Sequence, residues 1–338
     1  MKRVLSGIRA TGRLHLGNYL GAVKGMLELQ NDPNYETFYM VADVHTITTP
    51  YDVEELRKNR REVILDYLAA GLDPDKSVIF QQSEVPEHLE LAFYFSSVVT
   101  IAKMQHLPTF KEKVKQYPEH ATLALLNYPA LMAADILIYK AESIPVGIDQ
   151  EPHLEVAREI ARRFNQDYGT NFPEPKSFQT KGSYVPSLTG EGKMSKSVEG
   201  SYINLMDDLE TIKQKIARIA TDDGSNTIHI VNENIVFKNS TGETPHALTT
   251  LTKFINLFMN KDDKDKLETQ YPNGVRYGEI KSELSEAIFN ELKPIQEKRK
   301  ELEADPEYVD KVIKEGNEKA RSVARKTVLE VREKMGLL

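Results

Sequence analysis

Short apolar runs alternate with helical patterns through the first half of the chain. VLSGI (4–8) precedes a glycine-rich stretch, after which a helical pattern runs to Gln30. TFYMVADVHTI (37–47) is rich in β-formers and mostly apolar, which predicts a strand buried on both faces. Asp52 and Glu55 make an acidic cap pair ahead of VEELRKNRREVILDYLAAGL (53–72), whose spacing predicts an amphipathic helix. Asp73 and Pro74 break it, and SVIFQQS (77–83) reads as the next strand. Pro86 introduces a helix over 87–102, and 122–139 reads as an apolar helix interrupted at Pro129. IPVGI (144–148) predicts a further strand, and Asp149 caps a helix ending near Phe164. Strands separated by helices imply right-handed crossovers, so the fold class is α/β with a parallel sheet and a ligand crevice at its carboxyl edge. Residues 165–200 read as long loops, 226–240 as a small hairpin, and everything from Pro245 onward as charged helix. This predicts a sheet domain over 1–200, with a helical insertion around 84–140, and a mainly helical domain over 201–338.

Composition narrows the chemistry. With no Cys there is no disulfide, iron–sulfur cluster or thiolate zinc site, which suits a reducing compartment such as the cytoplasm. The opening apolar run is too short for a signal peptide, and no stretch approaches a membrane span. A net charge of −7 argues against blanket nucleic-acid coating and leaves recognition to local basic clusters. Such clusters occur at RKNRR (57–61), at 296–300, and at Arg321, Arg325 and Lys326, where interleaved Glu makes a solvated, salt-bridged face the alternative.

Two stretches carry candidate chemistry. In TGRLHLGNYLG (11–21) the glycine spacing fits neither GxGxxG nor a Walker loop. A helix N-terminus there offers N–H groups to phosphate, with His15 and Asn18 as added donors and Gly17 allowing close approach. A tight turn with a half-buried His15 is the alternative. In GEGKMSKS (190–197), Lys193 and Lys196 flank Met194 and Ser195, with Ser197 beyond, and two ammonium groups on a loop can follow charge as it moves onto a leaving phosphate. A third set lies at 127–165: Tyr128, Met132 and Asp135 share a helical face. An aromatic, a thioether and a lone acceptor describe a pocket for a flat ligand with one polar hydrogen, such as indole. The alternative is that Asp135 pairs with a nearby amide or Lys, since an isolated carboxylate on an apolar helix is costly.

HLGN and the later KMSKS together resemble the signatures of class I aminoacyl-tRNA synthetases, with Asn18 in place of the usual second histidine. The tryptophanyl branch commonly carries that change. NYPALMAADIL (127–137) and IPVGIDQEPHLEVAR (144–158) are similar to segments of bacterial tryptophanyl-tRNA synthetases, a resemblance that spans nearly the whole chain. It implies a Rossmann-like catalytic domain and a helical anticodon-binding domain. It implies ATP contacts at Arg9, Ala10, Thr11, Gly17, Asn18, Gly147, Ile148, Asp149, Val185 and Lys193 through Ser197, with Lys193, Lys196, His15 and Asn18 acting in catalysis. Asp135 would receive the indole N–H, with Tyr128, Met132, Gln150 and His45 around the substrate, and Lys111 and Lys113 are candidate phosphate contacts. Position 9 departs from the family, where many members have Gln, and the added charge serves either the phosphates or the carboxylate. Leu5 replaces an aromatic found in some members, which loosens the pocket wall. The resemblance implies L-tryptophan, ATP with magnesium but no dedicated protein metal site, and tRNA(Trp) as partners, and a homodimer. A tyrosyl-specific enzyme, a small-molecule nucleotidyltransferase and a non-catalytic tryptophan or RNA sensor are the competing readings.

Overall fold

The computed structural model describes residues 1–146, 150–178, 184–196, 198–272 and 274–338. In chain order the elements are β1 (Lys2–Arg9), α1 (Leu16–Asn18), a π-helical turn (Tyr19–Val23), α2 (Lys24–Gln30), β2 (Tyr35–Ala42), α3 (Val53–Ala69), β3 (Ser77–Gln81), α4 (Glu87–Ser96), α5 (Ile101–His106), α6 (Pro108–Gln116), α7 (Leu123–Ile138), β4 (Ser143–Ile144), α8 (Glu151–Tyr168) and β5 (Lys176–Ser177). There follow α9 (Leu209–Ala217), β6 (Thr227–Val231), β7 (Asn234–Lys238), α10 (Thr249–Phe258), α11 (Lys261–Gln270), α12 (Tyr277–Ala304) and α13 (Pro306–Lys334). The chain divides into two compact units whose segments interleave. One holds 1–13, 25–181 and 302–338; the other holds 14–24 and 182–301.

The first unit is built on a parallel sheet of order β3-β2-β1-β4-β5. β1 is central, and the order reverses between β1 and β4, so the ligand crevice of such a sheet lies beyond the end of β1. Leu5, Phe38, Phe80 and Tyr139 fill the core against the apolar faces of α4, α7 and α8. The edge strand β3 is covered by α13. Asn317 accepts the Gln81 N–H at 2.9 Å, and Gly316 brings the helix backbone against Ile79. Such cover removes a free strand edge.

Several expected boundaries shift, for local reasons. The apolar run from 37 does not stay extended to 47: β2 ends at Ala42, and Asp43 accepts the Val44 N–H at 3.0 Å to open a 3-10 turn over Val44–Thr48. Similarly, the run 77–83 is strand only to Gln81 before a 3-10 turn. The helix expected over 87–102 breaks after Ser96, where Ser96 and Ser97 hydroxyls bond back to the carbonyls of Ala92 and Tyr94 and Thr100 caps α5. Conversely, Pro129 does not interrupt α7; it sits buried inside the helix. IPVGI contributes strand only at Ile144 (β4 is Ser143–Ile144), and Gly147 and Ile148 lie outside the described residues. The capping role expected of Asp149 also lies outside them; α8 has Gln150 at its N-cap and runs past Phe164 to Tyr168.

In the second unit, the expected hairpin is β6–β7. Its turn places Asn232 and Glu233 at φ 50° and 65°, the left-handed pair that a two-residue hairpin demands. Helices α9 to α12 supply the rest, with α12 extending through residue 301 of this unit.

Candidate active site

Within the second unit, His15 caps α1 reciprocally. Its Nδ1 accepts the Asn18 N–H at 3.3 Å, and Asn18 Oδ1 accepts the His15 N–H at 3.2 Å. The Asn side chain is therefore spent on the turn, a job an N3 side chain of this size does well. The segment is pinned to the stretch after the lysine loop by Leu16 N–H to Ile203 O (2.8 Å) and Leu205 N–H to Leu14 O (3.2 Å). Met194 N–H bonds Val185 O at 3.0 Å, and the Ser201 hydroxyl bonds Ser195 O, so the lysine loop is held by its own backbone. The two motifs meet at Gly17. A Cβ there would lie 3.0 Å from the His15 ring and 3.1 Å from Met194 Cβ, so only glycine lets these segments pack without a shift. Burial first, then the charges of Lys196 and Lys193, push the His15 imidazole down to about 4. It is neutral at pH 7. Because Nδ1 accepts, its proton is on Nε2, which makes that nitrogen a donor suited to an anionic oxygen.

Within the first unit, Asp135 projects from the apolar helix α7 and is 2% exposed. Its Oδ1 accepts from Gln82 Nε2 at 2.7 Å and lies 2.6 Å from His88 Nδ1; its Oδ2 lies 2.8 Å from His45 Nε2. Burial alone would raise this carboxyl, but the contacts with His45 and His88 hold it below the usual carboxylate range. Behind it, His88 Nε2 lies 2.7 Å from the Tyr139 hydroxyl, whose proton is held firmly by burial and by the charges of Asp135 and Glu87. Tyr139 therefore donates to Nε2, and His88 Nδ1–H donates to Asp135. Each carboxylate oxygen has two acceptor positions. Oδ1 uses both, and among the described residues Oδ2 uses only the one to His45. The Tyr128 ring stands edge-on to His45 at 6.4 Å, and its hydroxyl bonds His153 Nε2, while His153 Nδ1 lies 3.1 Å from Gln150 Oε1. Met132 packs beside the core on the same helix.

A family model for class I tRNA synthetases (W and Y) matches residues 1–293. The chain belongs to the class I tRNA synthetases of this group. It is 39% identical over 340 residues to a tryptophan–tRNA ligase of Porphyromonas gingivalis, covering 99% of each chain. It is 41% identical over 341 residues to a tryptophan–tRNA ligase of Thermotoga maritima, again covering 99% of each. Among solved structures it is similar to tryptophanyl-tRNA synthetase from Campylobacter jejuni complexed with ADP and tryptophan, with a TM-score of 0.85, 32% identity and 99% coverage of both chains.

For a class I tRNA synthetase, the remaining expected positions fall as follows. Arg9 ends β1, Ala10 is buried beyond it and Thr11 is exposed. Val185 is fully buried, Lys193 is exposed and Lys196 half-buried. Ser197, Gly147, Ile148 and Asp149 lie outside the described residues. Lys111 is exposed, whereas Lys113 donates to Gln116 Oε1 at 2.8 Å and lies over the Tyr117 ring. Leu5 is buried in the core, 4% exposed. Many of the basic clusters are tied down. Arg57 pairs with Glu54, Arg60 with Asp43 and Glu84, Arg61 with Asp310, and Arg321 and Arg325 with Glu87, while Arg299 is fully buried. Sequence reading missed Gln82, His88, Tyr139 and His153 as supports of the pocket. His88 did carry a signal: it occupies a core-facing position of α4 with Leu91, Ala92 and Phe95, where an imidazole needs a partner. Among the described residues no group of three or more His, Asp or Glu could hold a metal ion.

Proposed function

We infer that the chain is a tryptophan–tRNA ligase. The tryptophan carboxylate attacks the α-phosphate of ATP, forming tryptophanyl-adenylate and releasing pyrophosphate. A ribose hydroxyl of the terminal adenosine of tRNA(Trp) then attacks the adenylate carbonyl and AMP leaves. Such chemistry asks the protein mainly for positioning and charge stabilisation. Ala10, Thr11, Gly17, Asn18, Val185 and residues 147–149 contact the nucleotide. His15 gives its Nε2–H to a phosphate oxygen, and Lys193, Lys196 and the hydroxyls of Ser195 and Ser197 follow the departing pyrophosphate. Magnesium enters with ATP and is carried by the phosphates, as a hard ion commonly is. Tyr128, Met132, Gln150 and His45 surround the indole and the amino acid. The C-terminal helices and the unpaired portion of the basic clusters take the tRNA. Leu89 and Phe93 stand one turn apart on α4 and are more than half exposed, as are Ile101 and Leu123, and exposed apolar side chains of this kind support a homodimer. The compartment is the cytoplasm, where charged tRNA is consumed.

The observation that carries tryptophan as the amino acid is the acceptor position on Asp135 Oδ2 that no described residue takes, on an otherwise apolar helix face. Indole N–H is donor only and matches it. Pyrophosphate exchange with each of the twenty amino acids tests this, alongside Asp135→Asn. In that variant the amide oxygen stays with Gln82 and His88, so NH₂ replaces Oδ2 and faces the indole N–H donor to donor. Exchange is expected with tryptophan alone, and the variant should lose about a hundredfold in kcat/KM for tryptophan. Exchange driven by another amino acid, or an unchanged kcat/KM in the variant, refutes the assignment.

A further inference from the structure

The surroundings of Arg9 are unusual for a guanidinium. Arg9 is the last residue of the central strand β1, opposite Ala42 in register, at the point where the strand order reverses. One terminal nitrogen is fixed: Nη2 donates to Thr49 Oγ1 at 2.9 Å and, more weakly, to Thr46 O at 3.4 Å. Nε is buried without a hydrogen-bond partner among the described residues. Burial lowers its pKa, and among the described residues the groups that oppose this are the hydroxyls of Tyr117 and Tyr128, with no carboxylate beside them. A partly buried cation with no described counter-ion carries a desolvation cost that an arriving anion would offset. Tyr128 links this cation to the Asp135 pocket, because its ring stands against His45, which bonds Asp135. Asp135 thus offers an acceptor for a neutral N–H donor and, beyond one tyrosine, stands a positive charge with no carboxylate partner among the described residues.

We propose that Arg9 is the counter-ion for the carboxylate of the bound amino acid, and so a specificity-determining residue that selects a free α-amino acid over the corresponding amine. The proposal rests on the tryptophan reading above. A guanidinium fixed by Thr49 and offering a leftover N–H matches a planar carboxylate in the ground-state complex. Charge that moves during reaction is instead served by flexible ammonium groups such as those of Lys193 and Lys196.

The test is equilibrium binding, without ATP, of L-tryptophan and tryptamine, which keeps the indole and amine but lacks the carboxylate. The full chain contains no tryptophan, so indole fluorescence reports the ligand alone. The parent is expected to prefer tryptophan strongly. Arg9→Gln should weaken tryptophan by about ten- to a hundredfold, the range for a hydrogen bond to a charged group, and leave tryptamine unchanged. Unchanged tryptamine binding also certifies an intact pocket. Arg9→Lys, which keeps the charge but loses the planar fork, should fall between the two, and it carries the test if the Gln variant does not fold. Equal weakening of both ligands would make Arg9 a wall of the pocket and overturn the proposal. So would unchanged tryptophan binding with a raised KM for ATP in pyrophosphate exchange, which would assign Arg9 to the phosphates. A parent that binds neither ligand would overturn the tryptophan reading itself, and the proposal with it.

Discussion

His15 shows how one residue serves both turn and chemistry. Its Nδ1 caps α1, and its pKa falls from 6.5 to about 4, first through burial and then through the two nearby lysines. Between those values the unfolded chain holds a proton that the folded chain does not. Stability therefore declines as pH drops through this window, and the contribution is fully present only above the unfolded pKa. From pH 7 to pH 5 the loss attributable to His15 is about 2 kcal/mol. Denaturant unfolding at the two pH values should show the parent losing that much more than His15→Asn, which keeps a good N-cap without an imidazole; equal losses would refute the buried, neutral state of His15. The position of His15 at a helix start was legible in the sequence, as was Asp135 on an apolar helix. The partners of Asp135 were not. Gln82, His88 and His45 lie 53, 47 and 90 residues away along the chain, and no local periodicity joins them.

At the scale of elements, helices with strong caps were readable. Asp52 accepts the Glu55 N–H at 2.8 Å and opens α3 as its pattern predicts. Breaks decided by hydroxyl competition, as after Ser96, and a proline absorbed by packing, as at Pro129, depend on neighbours that propensity does not see. Glycines divide in the same way. Gly316 in α13 and Gly278 in α12 look alike in sequence, yet a Cβ on Gly316 would sit 1.8 Å from Ile79 O, whereas one on Gly278 meets nothing within 4 Å. Backbone against backbone cannot yield cheaply, so Gly316→Ala should destabilise by about 3 kcal/mol or more, whereas Gly278→Ala should stabilise slightly, by roughly 0.5 kcal/mol. Thermal melts of the two variants check this, and matching shifts would contradict the close approach of α13 to β3.

At the scale of the whole molecule, the parallel sheet and the helical tail were legible, because crossover rules and charge patterning act along the chain, whereas the strand order was not read from the sequence. Nor was the interleaving of the two units. Segment 14–24 clusters with 182–301, and 302–338 clusters with the sheet, pairings that only tertiary contact decides. This has a consequence for α13. Its buried face includes Val309, Val312, Val328 and Val331, and Thr327 donates its hydroxyl to Ile138 O at 2.7 Å. Four buried valines at the lower end of the usual range contribute about 6 kcal/mol, comparable with the net stability of roughly 5–15 kcal/mol typical of a native protein. Removing the helix also bares the N–H of Gln81, now bonded to Asn317, and leaves β3 as an open edge, the geometry that recruits other strands. A chain ending at Asp305 is therefore expected to be poorly soluble and aggregation-prone, with no cooperative melt, although it loses only the last helix. Size-exclusion profiles and melting curves of that truncation and of the parent decide the matter. A monodisperse, cooperatively melting truncation would show that the sheet stands without α13, and that the last helix is an appendage rather than part of the fold that bears the substrate pocket.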